Sequence, residues 1–185
     1  APVEQALGLS RAESSLAFSL ALLAEGLCAY PVGRWIDRGH ERVVMTGGSL
    51  LVGTGLALHA FVDQGWAFLA VWTLIGAGLA GTLYSPAFAV VTRRFPHDFR
   101  RAIITLTFLG GLASTVFIPL SDWLIDARGW REALLWLAGL QFLLCAPLHA
   151  RLLRGAARAA VPPDPGPPHE PVTGPTTAPV SPANR

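Results

Sequence analysis

The chain contains no lysine. Its positive charge rests on 14 arginines against 12 aspartates and glutamates, for a formal net charge of +2. Charge of either sign is scarce: charged residues make up 14% of the 185, where soluble domains average about 25%. Nucleic-acid binding would need a basic face or stripe, and here the arginines stand in short clusters between apolar runs. Cysteine is limited to Cys28 and Cys145, both within apolar runs. They read as small buried side chains and define no disulfide framework or redox compartment. Enzyme signatures are missing as well: there is no H-E-x-x-H, no G-x-S-x-G, no cysteine pair at zinc spacing and no paired aspartates in a loop. No catalytic centre, metal or cofactor is indicated. His59, His97 and His149 fall at the ends of apolar runs or between them, and read as interfacial residues rather than ligands. The basic start and small-residue cleavage site of a signal peptide are absent before the first apolar run, where Glu4, Arg11 and Glu13 stand. With Ala1 in first place, further sequence ahead of the chain is expected.

Apolar residues are what the chain has in quantity. They form 52% of it, and the mean hydropathy of +0.46 is held down by a polar final segment. Five near-continuous apolar runs, at about residues 14–35, 43–62, 66–91, 102–125 and 133–153, each have the ~20 residues needed to cross a bilayer core. None alternates as a half-buried strand would, so each predicts a helix that satisfies its own backbone. The fold expected is an all-α integral membrane bundle over 14–154, preceded by an outer loop at 1–13. From 155 to 185 nine prolines are mixed with glycine, threonine and alanine. Such a segment cannot bury enough surface to offset its ordering entropy, and predicts a disordered tail.

The connections set the orientation. Arg34, Arg38 and Arg42, then Arg93, Arg94, Arg100 and Arg101, then Arg151, Arg154 and Arg158 lie on one side; Arg11, Arg128 and Arg131 lie on the other. Ten against three is a positive-inside bias. It predicts that the first, third and last connections and the tail are cytoplasmic, in a multi-pass protein of a cell inner or plasma membrane. An odd number of spans with its start outside would be completed by one preceding helix.

The loop Gly33-Arg34-Trp35-Ile36-Asp37-Arg38-Gly39-His40-Glu41-Arg42 packs three arginines around one aspartate. It resembles the signature between the second and third helices of the major facilitator superfamily: a glycine, an aspartate, a basic residue, a glycine and further basic residues. Gly33, Asp37, Arg38 and Arg42 take those places, with Gly39 one place early, His40 where the glycine would stand, and Glu41 where a basic residue is common. Gly33 would let the helix end pack closely, and Asp37 would face a helix N-terminus or an arginine in a contact that breaks and re-forms between conformations. Arg38 and Arg42 would anchor the loop and meet anionic lipid.

Three more segments carry the likeness. Gly8 to Glu13 is similar to the outer loop before the family's second helix, Phe95-Pro96 with Arg100-Arg101 to the basic turn after its fourth, and Gly129-Trp130-Arg131 to the start of its sixth. The resemblance runs over roughly 7–154, most closely to the monocarboxylate-type branch. It implies helices two to six of a six-helix half, with the first helix and the second half supplied from elsewhere. Where drug exporters carry an arginine four residues before a helix-four glycine, Trp72 precedes Gly76. Gly110-Gly111 and Pro119 are too far apart for the exporters' glycine-proline signature. An uptake carrier of the symport kind, or an anion-type carrier, is implied, moving a small polar or anionic solute, a carboxylate among them, by alternating access. A stand-alone five-helix scaffold or regulatory protein is the competing reading.

Polar residues inside the runs are the candidates for a substrate path. Glu25 lies at the middle of the first run, where a charge costs roughly 2.5–3.5 kcal/mol on insertion scales; a neutral acid bonded to a neighbouring helix accounts for it equally well. Tyr84, Ser85 and Pro86 interrupt the third run, and the proline loosens its hydrogen bonding. Thr105 belongs to the fourth run and Gln141 to the fifth; Thr107, Ser114 and Thr115 are weaker, since such hydroxyls bond back to their own helix. Gly76-Ala77-Gly78-Leu79-Ala80-Gly81 matches a dinucleotide fingerprint, but lies in an apolar run without the strand that chemistry needs. Close helix packing through Gly76 with Ala80 and Ala77 with Gly81 is expected instead.

Overall fold

The computed structural model describes residues 2–95 and 97–154, and every described element is helical. The proline-rich segment 155–185, with the tail expected there, lies outside the described residues. A short α1 (Pro2–Leu7) leads to α2 (Arg11–Asp37), α3 (Glu41–His59), α4 (Gly65–Leu79), α5 (Tyr84–Arg94), α6 (Phe99–Arg128) and α7 (Trp130–Leu140). A π-helix, Gln141–Cys145, then joins α7 to α8 (Ala146–Leu152).

Local chemistry explains the boundaries. Ser10 and Glu13 form a capping box at the start of α2: the Ser10 hydroxyl accepts from the Glu13 amide at 3.2 Å, and Glu13 accepts from the Ser10 amide at 2.8 Å. The run expected as one span over 66–91 is two helices, α4 and α5, separated at residues 80–83. Pro86 lacks the amide that would bond the Thr82 carbonyl, and its ring crowds that carbonyl. The chain tightens there into three-residue turns, Gly81 to Gly78 and Thr82 to Leu79.

Four stretches are long and apolar enough to cross a membrane: Arg11–Asp37, Gly65–Arg93 across the break, Phe99–Arg128 and Trp130–Leu152. The fifth, α3, has 19 residues, about 28 Å at 1.5 Å per residue. It is the inner helix, touching α4 on one side and α7, the π-helix and α8 on the other. Gly48, Ser49, Gly53 and Gly55 are all buried on it. The outer helices present apolar side chains outward, among them Leu27, Tyr30, Phe108, Trp136 and Leu143, a surface suited to hydrocarbon.

The run from Gly76 to Gly81 is where three helices come closest. A Cβ on Gly76 would lie 2.1 Å from the Ala21 carbonyl oxygen of α2, and one on Gly78 2.9 Å from the Val52 amide of α3. One on Gly81 would lie 3.0 Å from the Val44 carbonyl. Small residues do serve packing here, but through Gly76 on one side and Gly78 with Gly81 on the other. A core of Ala17, Val62, Phe68, Val71 and Ile75 continues the α2–α4 seam.

Candidate functional site: the α2–α3 loop and the α5–α6 cavity

At the arginine-rich end, α2 closes in a Schellman turn: the Gly39 amide donates to the Ile36 carbonyl at 2.8 Å and the His40 amide to the Trp35 carbonyl at 3.0 Å. Gly39 has φ +83°, a conformation a Cβ opposes, so its early place in the signature is where the turn needs it. Ile36 is 1% exposed and seats the helix end. Across from it, the Arg93 guanidinium of α5 donates to the Ile36 carbonyl. The structure thus brings Arg93 to the residue next to Asp37. Arg93 supplies charge just where the α2 dipole is negative.

Asp37, Arg38 and Arg42 are exposed, and among the described residues Asp37 forms no ion pair. Glu41, in place of a basic residue, is 4% exposed, and its Oε2 has no described partner. Gly33 departs from its expected role: nothing described lies within 4 Å of where its Cβ would be, because the close approach of α2 occurs three turns earlier at Ala21. Arg100 and Arg101 lie exposed in the first turn of α6, and Arg94 ends α5.

The substrate-path candidates do not converge. Tyr84 opens α5 with its hydroxyl over Gly110 of α6, where a Cβ would be 2.5 Å from it, and its ring stands 5.5 Å from that of Phe88. An open cavity of about 550 Å³ lies there, lined by Thr82, Tyr84, Leu106, Gly110 and Ser114 among others. Ser85 and Thr105 are exposed but do not line it. Glu25 is half-buried on α2. Gln141 opens the π-helix and packs on Gly53 of α3. Thr82 had not stood out in the sequence; its signal is its place four residues before Pro86.

Histidines and the last arginine pair do more than expected. His59, at the end of α3, is 5% exposed, with its ring 5.3, 6.1 and 6.2 Å from those of Phe68, Trp72 and Trp130. Arg131 donates to the carbonyls of Ala60 (2.7 Å) and Val62 (3.3 Å) and to Asp63 (2.6 Å), and its guanidinium lies 4.5 Å from the Trp130 ring centre. It caps the end of α3 and ties the α3–α4 turn to α7. The two cysteines are half-buried free thiols. Among the described residues no group of three His, Cys, Asp or Glu side chains is placed to hold a metal ion.

A multi-pass helical membrane protein with a charged, tightly turned loop at one end and an open, mostly apolar cavity carrying a few hydroxyls is the class these features define. Comparison with known proteins agrees. The model of the Major Facilitator Superfamily matches residues 1–184, and the chain belongs to that family. It is 36% identical over 120 residues to monocarboxylate transporter 13 of Rattus norvegicus, a match covering 63% of this chain and 27% of that protein. To monocarboxylate transporter 12 of Xenopus laevis it is 32% identical over 121 residues, 64% of this chain and 26% of the relative. To the oxalate:formate antiporter of Oxalobacter formigenes it is 30% identical over 136 residues, 73% and 32%. Within the family the similarity is to the monocarboxylate-type branch. The chain spans about a quarter to a third of the length of these relatives.

Proposed function

We propose that this chain supplies helices two to six of the first half of a secondary transporter for small carboxylate anions, working by alternating access with a preceding helix and a second six-helix half. The observation that carries this reading is the Arg93 contact with the Ile36 carbonyl. It ties α5, a wall of the cavity, to the end of α2 beside the signature aspartate, and this supports a coupling of movement at the cavity with movement at the loop. Asp37 stands exposed next to that joint, available to a helix N-terminus or arginine of the opposing half in one conformation and released in the other. Arg38 and Arg42 hold the loop at an anionic lipid surface. That end is the cytoplasmic one, and the tail shares it.

The relatives, monocarboxylate transporters and an oxalate:formate antiporter, support the substrate class. The hydroxyls of Tyr84 and Ser114 in the 550 Å³ cavity are donors that suit a carboxylate, while that of Thr82 donates to the Gly78 carbonyl of its own chain segment. Proteoliposomes test the reading. Loaded with the chain together with its completing helices, they should take up labelled formate or oxalate saturably, with each competing against the other and a neutral sugar against neither. The 185-residue chain alone should give no saturable uptake. Uptake by the chain alone, or by the complete assembly of neutral solutes only, overturns it.

A further inference from the structure

The last apolar span is fixed at one end, broken in its middle and fastened at the other. Its start is fixed by Arg131, bonded to the turn after α3. Its middle is the π-helix Gln141–Cys145. Pro147, in the first turn of α8, cannot donate to the Leu143 carbonyl and crowds it outward; the wider π turn absorbs that displacement. Gly53 of α3 makes room at this level, since a Cβ there would lie 3.1 Å from the Phe142 ring.

Beyond the π turn, α8 runs for seven residues as the last part of the Trp130–Leu152 span. Its fastening is on α3. Ser49 Oγ and His149 Nδ1 are 2.8 Å apart, the Met45 carbonyl faces the same imidazole, and Leu153 packs with Met45 and Val90. Ser49 is 0% exposed with α8 in place, so in the attached state the histidine, not water, is its hydroxyl's partner. The Met45 carbonyl is also the acceptor one turn before Ser49, the usual partner for a helical serine hydroxyl. The hydroxyl therefore has two satisfied arrangements, one with α8 attached and one with α8 free.

We propose that Ser49 and His149 form a latch between α3 and α8, with the π-helix as its hinge. When the latch opens, the Ser49 hydroxyl turns to the Met45 carbonyl and α8 swings from α3, while α7 stays held by Arg131. The latch thereby sets where the chain leaves the bundle toward residues 155–185. Hydrogen exchange on the full chain in lipid nanodiscs tests this. Ser49→Ala and His149→Ala should each speed exchange at the amides of 148–152 about tenfold, leaving 134–140 unchanged. His149→Asn, whose side-chain amide reaches the Nδ1 position, should restore most of the protection. Deleting Leu143 removes the extra residue that the π turn absorbs, so the span closes to a regular helix and α8 keeps the same face toward α3 without its hinge. The deletion should leave exchange at 148–152 no faster than in the parent and should blunt the acceleration caused by Ser49→Ala. Equal acceleration of α7 and α8, no change in either with Ser49→Ala, an Asn variant no better than Ala, or a deletion that speeds exchange at 148–152 as Ser49→Ala does would each overturn the latch.

Discussion

At the scale of single residues, this protein places most of its few charges at or near helix ends, with Glu25 in the middle of α2 an exception. Asp37 is exposed beside a helix terminus that Arg93 already holds. Replacing it with asparagine keeps the size and removes the charge. Coupling terms of this kind shift a two-state equilibrium by roughly 5–150-fold, so Asp37→Asn should lower the initial uptake rate of the complete carrier within that range. The amount inserted in the membrane should stay near normal, since Arg34, Arg38 and Arg42 still flank the loop. Uptake normalised to inserted protein decides it, and a rate equal to the parent's makes Asp37 a solvated loop charge. Arg131 predicts a different outcome. Its guanidinium satisfies two carbonyls at the end of α3, and hydrogen bonds from a charged group contribute about 1.5–3 kcal/mol. Arg131→Ala should therefore lower the thermal midpoint in detergent by several degrees. Asp63→Ala should shift it little, because that side chain is 75% exposed and surface pairs contribute little. Equal shifts in the two variants would mean the ion pair, not the cap, is what matters.

At the scale of the element, small residues decide how closely helices pack, and prolines decide where they break. Gly76 meets the Ala21 backbone with no room for a methyl group, so Gly76→Ala must push α2 from α4. Overpacking of this kind costs about 1–3 kcal/mol. Gly26→Ala is the control, since its Cβ would meet nothing within 4 Å, and in a helix alanine is favoured by up to about 1 kcal/mol. Thermal unfolding followed by helical signal should move down for the first and hold or rise for the second. A stable Gly76→Ala would show that the α2–α4 seam adjusts freely. The prolines show the limit of reading elements from sequence. Pro31 and Pro119 lie inside α2 and α6, which remain single helices. Pro86 accompanies the break between α4 and α5, and Pro147 accompanies a π turn. The residue type is the same in all four.

At the scale of the molecule, orientation is the property most directly open to test. If arginine clusters set it, reporter fusions at His40, His97 and Gly155 should read cytoplasmic, and fusions at Gln64 and Arg128 external. Two reversals among the five would sink the proposed topology. The helical membrane fold and the family were legible because both are written in local pattern: long apolar runs, and a loop with Gly33, Asp37, Arg38 and Arg42 at fixed spacing. Hydrocarbon leaves a backbone few alternatives to the helix, so composition alone carries far in such a chain. The partners of individual side chains were not legible. Arg93 with Ile36, Ser49 with His149, and Arg131 with Ala60 are separated by 57, 100 and 71 residues, and nothing local marks one as belonging to the other. Likewise Gly33, placed for close packing by its motif, meets open space, while Gly76 closes on Ala21. The sequence by itself determined that this protein is a membrane-embedded helical bundle of its family, because burial in lipid selects on the average character of twenty residues at a time. Which polar groups meet was settled by packing across the whole bundle, because each such contact depends on the rotation of two helices about their axes.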